Sequence, residues 1–363
     1  FGKVFLLISN CFIPLQGLRK EIKMNNKIVV YQVLTRLFGN TNTTNKPWGT
    51  KEENGVGEFS DFTEKALLEI KKLGATHIWF TGVLHHALTT DYTAYGISND
   101  FPAVVKGRAG SPYAIKDYYS VNPDLADDPT HRLEEWEVLI ARTHQCGLKV
   151  IMDIVPNHVA RRYESIAKPK GIRGFGEDDD KSVQYAVNNN FYYNPNEAFQ
   201  LPEGIYGEYH EFPAKWTGNG ARASKPDRND WYETVKLNYG VRPDGTKDFA
   251  MLPVGFENED TETHYRFWQD QIVPNTWQKF KDIALYWLAK GVDGFRYDMA
   301  EMVPVEFWSY LNSTIKHQNP EAFLLAEVYN PNEYRPYLHL GKMDYLYDKV
   351  QLYDTLRAIV SYG

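Results

Sequence analysis

Apolar and polar positions alternate along this chain in blocks of two kinds. Short apolar runs rich in Val, Ile, Leu and Phe are typical of buried strands, and longer stretches with apolar residues three or four positions apart are typical of amphipathic helices. The six predicted strands are Ile28–Leu34, Thr76–Phe80, Leu148–Val155, Val292–Arg296, Phe323–Glu327 and Asp344–Tyr347. The predicted helices between them are Phe59–Leu73, Thr130–Gln145, Thr276–Ala289 and Pro304–His317.

Alternation of strand and helix predicts a parallel sheet with right-handed crossovers. A (β/α)₈ barrel repeats about every 30 residues, and the later strands fit that repeat. Six of the eight units are accounted for, so we predict an α/β fold of the (β/α)₈ class that is truncated at its C-terminus. Its first part is residues 24–160 and its continuation is residues 276–363.

The segment 161–275 breaks this rhythm. It is dense in Gly, Asn, Pro and aromatic residues and has almost no sustained helical or strand period. A structureless loop of that length is unusual inside a compact domain. We therefore predict an irregular subdomain inserted after the third strand, and we expect the long stretch Tyr92–Ser120 to be an irregular loop.

Residues 1–23 are predicted to form a leader or upstream segment outside the fold. They contain an apolar run of signal-peptide length with Lys3 ahead of it, and Met24 directly precedes the first strand. The protein is cytoplasmic if Met24 is the true start, and secreted or periplasmic if residues 1–23 are the remnant of a signal. No other stretch approaches the roughly 20 apolar residues of a membrane span.

Composition narrows the classes of partner. The 363 residues are 43% hydrophobic and 24% charged, with a net charge of −7. An acidic balance without a Lys/Arg-rich run argues against a nucleic-acid partner. Two cysteines exclude a small scaffold held together by disulfides. The oligomeric state stays open.

Two acids stand where predicted strands end. Asp298 follows the fourth strand, and Glu327 ends the fifth about one barrel repeat later. Barrel chemistry lies at this end of the strands, and an Asp/Glu pair facing one cleft suits glycosidic-bond cleavage. Arg296 points to the same face as Asp298 and its charge favours the ionised carboxylate. The alternative is that both acids are solvated loop residues.

Several ordered motifs carry a family resemblance. They are residues 153–158 (DIVPNH), 294–298 (GFRYD), 325–327 (LAE), the weaker 236–238 (KLN), and 111–113 (SPY) with 117–119 (DYY). With the insertion after the third strand, they resemble the alpha-amylase family, family 13 of the glycoside hydrolases. The resemblance spans about residue 27 to the end of the chain.

The resemblance implies the chemistry and the substrate. Asp298 would be the nucleophile and Glu327 the general acid and base in a retaining hydrolysis of α-1,4 links in α-glucans, namely starch, glycogen or maltodextrins. His158 would hydrogen-bond a sugar hydroxyl and Tyr113 would stack on the sugar ring, with Asp117 as a further substrate contact. A third carboxylate is expected after a seventh strand, so residues 1–363 alone are expected to show little or no activity.

Asn157 matches a position that often ligates calcium in the family. A Ca²⁺ cofactor stays an open prediction, because the weaker motif has Asn238 where an acid is common. Glu301 and Met302 replace the lysine–histidine pair of many amylases, which leaves the leaving-group subsites open as well.

Three rival functions fit part of the pattern. The nearest is an α-glucan transglycosylase of the 4-α-glucanotransferase kind, which shares the same chemistry. A non-catalytic carbohydrate-binding member or partner subunit is disfavoured because Asp298, Glu327 and Arg296 are all present. An unrelated barrel enzyme that holds Mg²⁺ on strand-end acids is disfavoured by the motif at residues 156–158.

Overall fold

A parallel sheet is the frame of the molecule. A computed structural model describes residues 3–5 and 27–362, and six parallel strands lie side by side in chain order. They are β1 Val30–Leu34, β2 His77–Thr81, β3 Lys149–Ile154, β4 Gly294–Tyr297, β5 Phe323–Ala326 and β6 Tyr345–Leu346. The helices that follow them are α1 Glu64–Lys72, α2 Arg132–Gln145, α3 Asn275–Ala289, α4 Val305–Gln318, α5 Tyr334–His339 and α6 Asp354–Tyr362. This is the strand order of a (β/α)₈ barrel.

A seventh, antiparallel strand lies beside β1. It is Lys3–Phe5, which pairs with β1 on the side away from β2. The predicted leader comprises residues 1–23. Apart from Lys3–Phe5 it lies outside the described residues, as does Met24. Among the helices of the described part, none is both long enough and apolar enough to cross a bilayer.

The central strands are buried because both faces of the sheet are covered. One face packs on the helices through a large apolar cluster that includes Trp136, Trp277 and Trp287. The other face carries a small cluster formed by Val30, Trp79, Ile151, Phe323 and Leu325. Side chains two positions apart on a strand share a face, so Asp153 and Arg296, which pair across β3 and β4, lie on this inner face.

One strand formed where an irregular loop was predicted. Ile115–Val121 pairs antiparallel with Leu84–His86, and all seven of its residues are buried. Lys116 and Asp117 interrupt its apolar pattern, so the sequence does not predict a strand here. Lys116 is buried against the carboxylate of Asp100, with 3.0 Å between Nζ and Oδ1.

The inserted segment is built from short ribbons. They are His158–Ala160 with Thr234–Lys236, and Tyr193–Asn194 with Ala214–Lys215. A helix that the sequence analysis missed, Thr261–Gln269, begins where the Asp260 side chain accepts the Thr263 N–H at 2.8 Å. It packs on α4, and Trp268 donates from its indole to Ser309 at 2.8 Å.

Candidate active site

Two acids lie at the carboxyl ends of neighbouring strands. Asp298 follows β4 and Glu327 follows β5, and these strands pair in parallel. The backbone N–H groups of both acids still bond to the adjacent strand, at 2.9 and 3.0 Å. Each acid stands two positions after an inward-facing residue, Arg296 or Leu325, so both carboxylates face the barrel interior.

One guanidinium joins the acids. Arg296 Nη1 donates to Asp298 Oδ1 at 2.7 Å and to Asp153 Oδ1 at 3.2 Å, and Nη2 lies 2.9 Å from Glu327 Oε2. Its Nε donates to the hydroxyl of Tyr347 at 3.0 Å. Arg296 is buried, so a rigid and planar cation fixes three carboxylates around one point.

Further donors hold these carboxylates in place. The indole of Trp79 donates to Asp153 Oδ2 at 2.8 Å. The backbone N–H of Met299 donates to Glu327 Oε2 at 2.9 Å, and the hydroxyl of Tyr329 donates to Glu327 Oε1. Hydrogen bonds to a carboxylate favour its ionised form, so Glu327 receives more support for its charge than Asp298 does.

The pKa values of Asp298 and Glu327 are shifted in opposite directions. Burial raises the pKa of Asp298 to about 7, against the opposing charge of Arg296. Burial likewise raises the pKa of Asp153 to about 6. For Glu327, burial is outweighed by Arg296 and its hydrogen-bond donors, and the pKa lies below the ordinary value. The predicted effect of Arg296 on Asp298 is present but weaker than that of burial, so near pH 7 the protonated and ionised forms of Asp298 are both populated.

A cleft of about 330 Å³ opens beside the acids, large enough for a sugar ring. Asp298, Glu327, Tyr113 and His158 all line it. The ring of Tyr113 lies 5.8 Å from Cζ of Arg296. The structure therefore brings five of the predicted site residues to one place.

His158 is a neutral side chain at the edge of this cleft. Burial, and secondarily the charge of Lys236, lowers its pKa to about 3. Asn157 Nδ2 lies 3.0 Å from His158 Nδ1. An amide NH₂ can only donate, so Nδ1 accepts and the ring proton is on Nε2.

Comparison with known proteins gives the family. The family model for the alpha amylase catalytic domain matches residues 32–242, more than half of the chain. The chain belongs to the alpha-amylase family. Alpha-amylase 3 of Dictyoglomus thermophilum is 22% identical over 320 residues, which are 85% of this chain and 44% of that protein. An alpha-1,4-glucan:maltose-1-phosphate maltosyltransferase of Cereibacter sphaeroides is 33% identical over 122 residues, 33% of this chain and 19% of that enzyme.

The predicted family and barrel fold are thereby confirmed. The crystal structure of an alpha-amylase from Lactobacillus plantarum matches with a TM-score of 0.52 at 21% identity, over 93% of this chain and 56% of that one. At this identity the likeness shows the fold alone. The chain spans less than half the length of the two curated relatives.

Asp117 does not line the cleft, which corrects its prediction as a substrate contact. It is fully buried, and its Oδ1 accepts hydrogen bonds from the hydroxyl of Ser165 at 2.5 Å and the N–H of Tyr119 at 2.9 Å. Oδ2 accepts the N–H groups of Ile166 and Ala167 at 2.9 and 3.0 Å. In this alpha-amylase family member Asp117 anchors the start of the inserted segment to the barrel.

Replacing Asp117 with alanine is expected to lower the free energy of unfolding by about 3 kcal/mol or more, because several buried donors lose their acceptor. The KM for the substrate should stay the same at a temperature where the variant is folded. Urea unfolding and steady-state kinetics measure the two effects. Asp178→Ala, which breaks only an exposed ion pair with Arg173, is the control and should change stability by less than about 0.5 kcal/mol.

The residues around Asn157 do not fit the predicted calcium ion. Asn157 Oδ1 accepts a hydrogen bond from Lys236 Nζ, and Nδ2 donates to the carbonyl of Gly218 at 2.9 Å. Burial lowers the pKa of Lys236 to about 8, so the ammonium still prevails at neutral pH. Calcium takes six to eight oxygens, and this one faces a cation. Across residues 27–362 no group of three or more His, Cys, Asp or Glu side chains could hold a metal ion.

Several residues that surround the acids were not predicted from the sequence. They are Trp79, Asp153, Trp231, Tyr329 and Tyr347. Asp153 opens the first family motif, and Tyr329 stands two positions after Glu327, so both carried a signal. Trp231 lines the cleft with its ring 5.4 Å from that of His158, and nothing in its local sequence marks it.

Proposed function

We propose that the protein is a retaining glycosidase that cleaves α-1,4 links in α-glucans such as starch, glycogen or maltodextrins. The observation that carries this proposal is the shared guanidinium. Asp298 and Glu327 each contact Arg296, at 2.7 and 2.9 Å, beside a cleft of sugar size. Retaining enzymes need two carboxyl groups about 5–5.5 Å apart. Two acids that both bind one guanidinium lie close enough together to reach the same anomeric carbon.

The first step forms a glycosyl ester. Asp298 Oδ attacks the anomeric carbon while Glu327 gives a proton to the departing glycosidic oxygen, so the carbon–oxygen bond breaks as the ester forms. In the second step Glu327 takes a proton from water, whose oxygen displaces Asp298. Two inversions leave the product with the α configuration of the substrate.

Near pH 7 part of the free enzyme carries the proton that this chemistry needs on Asp298, because burial raises the pKa of that group to about 7. Catalysis needs Asp298 ionised and Glu327 protonated. In the free site the hydroxyl of Tyr329 donates to Glu327 Oε1 and so stabilises the Glu327 charge. Displacing this donor would raise the proton affinity of Glu327, so the proton would pass from Asp298 to Glu327 when substrate binds.

Two other cleft residues would hold the sugar ring. His158, with its proton on Nε2, would donate a hydrogen bond to a hydroxyl. Tyr113 would offer an aromatic face, and its position near Arg296 places that face next to the acids.

We expect kcat/KM to fall above pH 7, because the acid pair then loses its last proton, which titrates at about 7. The decrease should approach about tenfold per pH unit. The sign follows from Asp298, whose raised pKa makes the protonated pair the form that predominates below pH 7. A pH series of kcat/KM on maltooligosaccharides gives the measurement, and a value that still rises above pH 8 would contradict the proton assignment.

NMR of the first sugars released from maltoheptaose by the full-length protein tests the proposal. New reducing ends should appear as the α anomer before mutarotation. Release of the β anomer would overturn the retaining mechanism.

Transfer to a second sugar instead of water is the alternative outcome. The similarity to the maltosyltransferase of Cereibacter sphaeroides over 122 residues favours testing it. Products longer than maltoheptaose would assign the protein to transglycosylation, and products that are all shorter would assign it to hydrolysis.

A further inference from the structure

A lysine side chain reaches the position at which a metal ion was expected. Lys236 pairs directly with His158 across the ribbon that joins the inserted segment to the barrel. Its Nζ donates to Asn157 Oδ1 and lies 3.4 Å from the carbonyl oxygen of Met302. One ammonium therefore connects the loop after β3, the loop after β4 and the inserted segment.

This contact fixes which way the Asn157 amide points. The side chain is fully buried, with its oxygen on Lys236 and its nitrogen on the carbonyl of Gly218, 2.9 Å away, and on His158 Nδ1, 3.0 Å away. Turning the amide over would place its NH₂ against an ammonium and its oxygen against a carbonyl. Both contacts would be repulsive, so only one orientation satisfies all three neighbours.

We propose that the Lys236 ammonium is a built-in replacement for a metal ion at Asn157, and that through the Asn157 amide it holds His158 as the Nε2–H tautomer. Lys236 is then a positioning residue, because it acts on the sugar through Asn157 and His158. The consequence for sugar binding rests on the proposed function, whereas the replacement of the metal and the choice of tautomer do not.

The surrounding oxygens support this assignment. Asn238 stands where an acid is common in the family, and it is also fully buried. Its Oδ1 accepts a hydrogen bond from the N–H of Gly240 at 2.9 Å. Its Nδ2 donates to the carbonyls of Ala186 and Asn189 at 2.9 and 2.8 Å. The oxygen of each asparagine already accepts a hydrogen bond, and a single positive charge suits a site that has no carboxylate among these contacts.

Thermal unfolding of the full-length protein is the first test. The Tm should be the same in millimolar calcium and in excess chelator. Lys236→Met should lower the Tm by several degrees in both solutions, and Lys236→Arg should recover part of that loss. Lys225→Met removes an exposed lysine of the same segment and should leave the Tm unchanged. A wild-type Tm that rises by several degrees with calcium would overturn the replacement.

Nitrogen-15 NMR of histidine-labelled protein is the second test, with the His158 signal assigned from a His158→Gln variant. The wild type should show a protonated Nε2 and an unprotonated Nδ1. Lys236→Met should give a mixture of tautomers, and Asn157→Asp, which offers Nδ1 an acceptor, should move the proton to Nδ1. A wild-type proton on Nδ1, or a tautomer that survives both changes, would overturn the positioning role.

Kinetics separate this inference from the proposed function. With an active protein, Lys236→Met should raise the KM for maltooligosaccharides about tenfold with a smaller loss in kcat, since a sugar hydrogen bond is lost. An unchanged KM would contradict the role of the tautomer in binding. The Tm and NMR results need no turnover, so they decide the inference even if the proposed function fails.

Discussion

Replacing Asp298 with alanine in the full-length protein is expected to reduce hydrolysis of maltooligosaccharides by at least about 10⁴-fold, because the nucleophile of the first step is lost. The fold should persist, because the change removes a carboxylate that is costly to bury in its ionised form, as its raised pKa of about 7 indicates. The free energy of unfolding should therefore increase above pH 7, where the wild type must keep that group ionised in a buried site. Kinetics and urea unfolding at pH 8 measure the two effects.

Azide rescue assigns the two acids separately. With an activated glycosyl fluoride, azide should react directly in the Asp298→Ala variant and give the β-glycosyl azide, the inverted product. In Glu327→Ala the glycosyl ester still forms, so azide should give the α-glycosyl azide with retention. Glu327→Gln should keep oligosaccharide binding and lose about 10²–10⁴-fold in turnover. The opposite pair of azide products would exchange the two roles.

Arg296→Met is expected to destabilise the protein by about 3–5 kcal/mol at pH 8, because three buried carboxylates lose their shared cation. The loss should shrink toward pH 5, since those acids then fold in the protonated form and need no cation. Turnover should fall about 10²–10³-fold. The alkaline limb of kcat/KM should move to higher pH, because the guanidinium no longer lowers the pKa of Asp298.

Two variants control for this interpretation. Arg296→Lys keeps one charge but cannot bridge three carboxylates, so it should restore more stability than turnover. Arg266→Met breaks an exposed pair with Glu262 and should change stability by less than about 0.5 kcal/mol. An Arg296→Met variant whose pH profile matches the wild type would show that the guanidinium does not govern the acid pair.

The acids could be predicted from the sequence because their placement depends on local repeats. A strand has a period of two, and a barrel unit has a near-constant length. Asp298 and Glu327 follow adjacent strands, and Arg296 precedes Asp298 by one strand period. Those relations fix which face each side chain occupies, so the contacts of Arg296 with Asp298 and with Glu327 follow from the pattern.

Asp117 and Asn157 could not be placed in this way. Their partners come from distant parts of the chain, Ser165 at 48 positions and Lys236 at 79 positions. The motifs gave a role to each residue, but the hydrogen bonds that occupy its oxygens depend on how the inserted segment folds back. The helix Thr261–Gln269, which was not predicted, also packs on a distant part of the chain, α4.

The direction of the pKa shift of Asp298 could not be predicted from the sequence either. Arg296 was expected to keep Asp298 ionised, and the contact is present at 2.7 Å. Burial and two further carboxylates on the same guanidinium reverse the net effect. Asp153 belongs to this cluster only because β3 and β4 pair in register, which composition and spacing do not reveal.

Trapping the glycosyl ester tests the central claim most directly. A fluorinated glucosyl fluoride should react with the full-length protein and accumulate as an ester, because the ring fluorine slows both steps whereas the fluoride leaving group speeds only the first. Peptide mass spectrometry should find the added sugar on Asp298. The same treatment of the Asp298→Ala variant should give no labelled peptide. A sugar attached to Glu327 or to any other side chain, or an active enzyme that never accumulates an ester, would contradict the account.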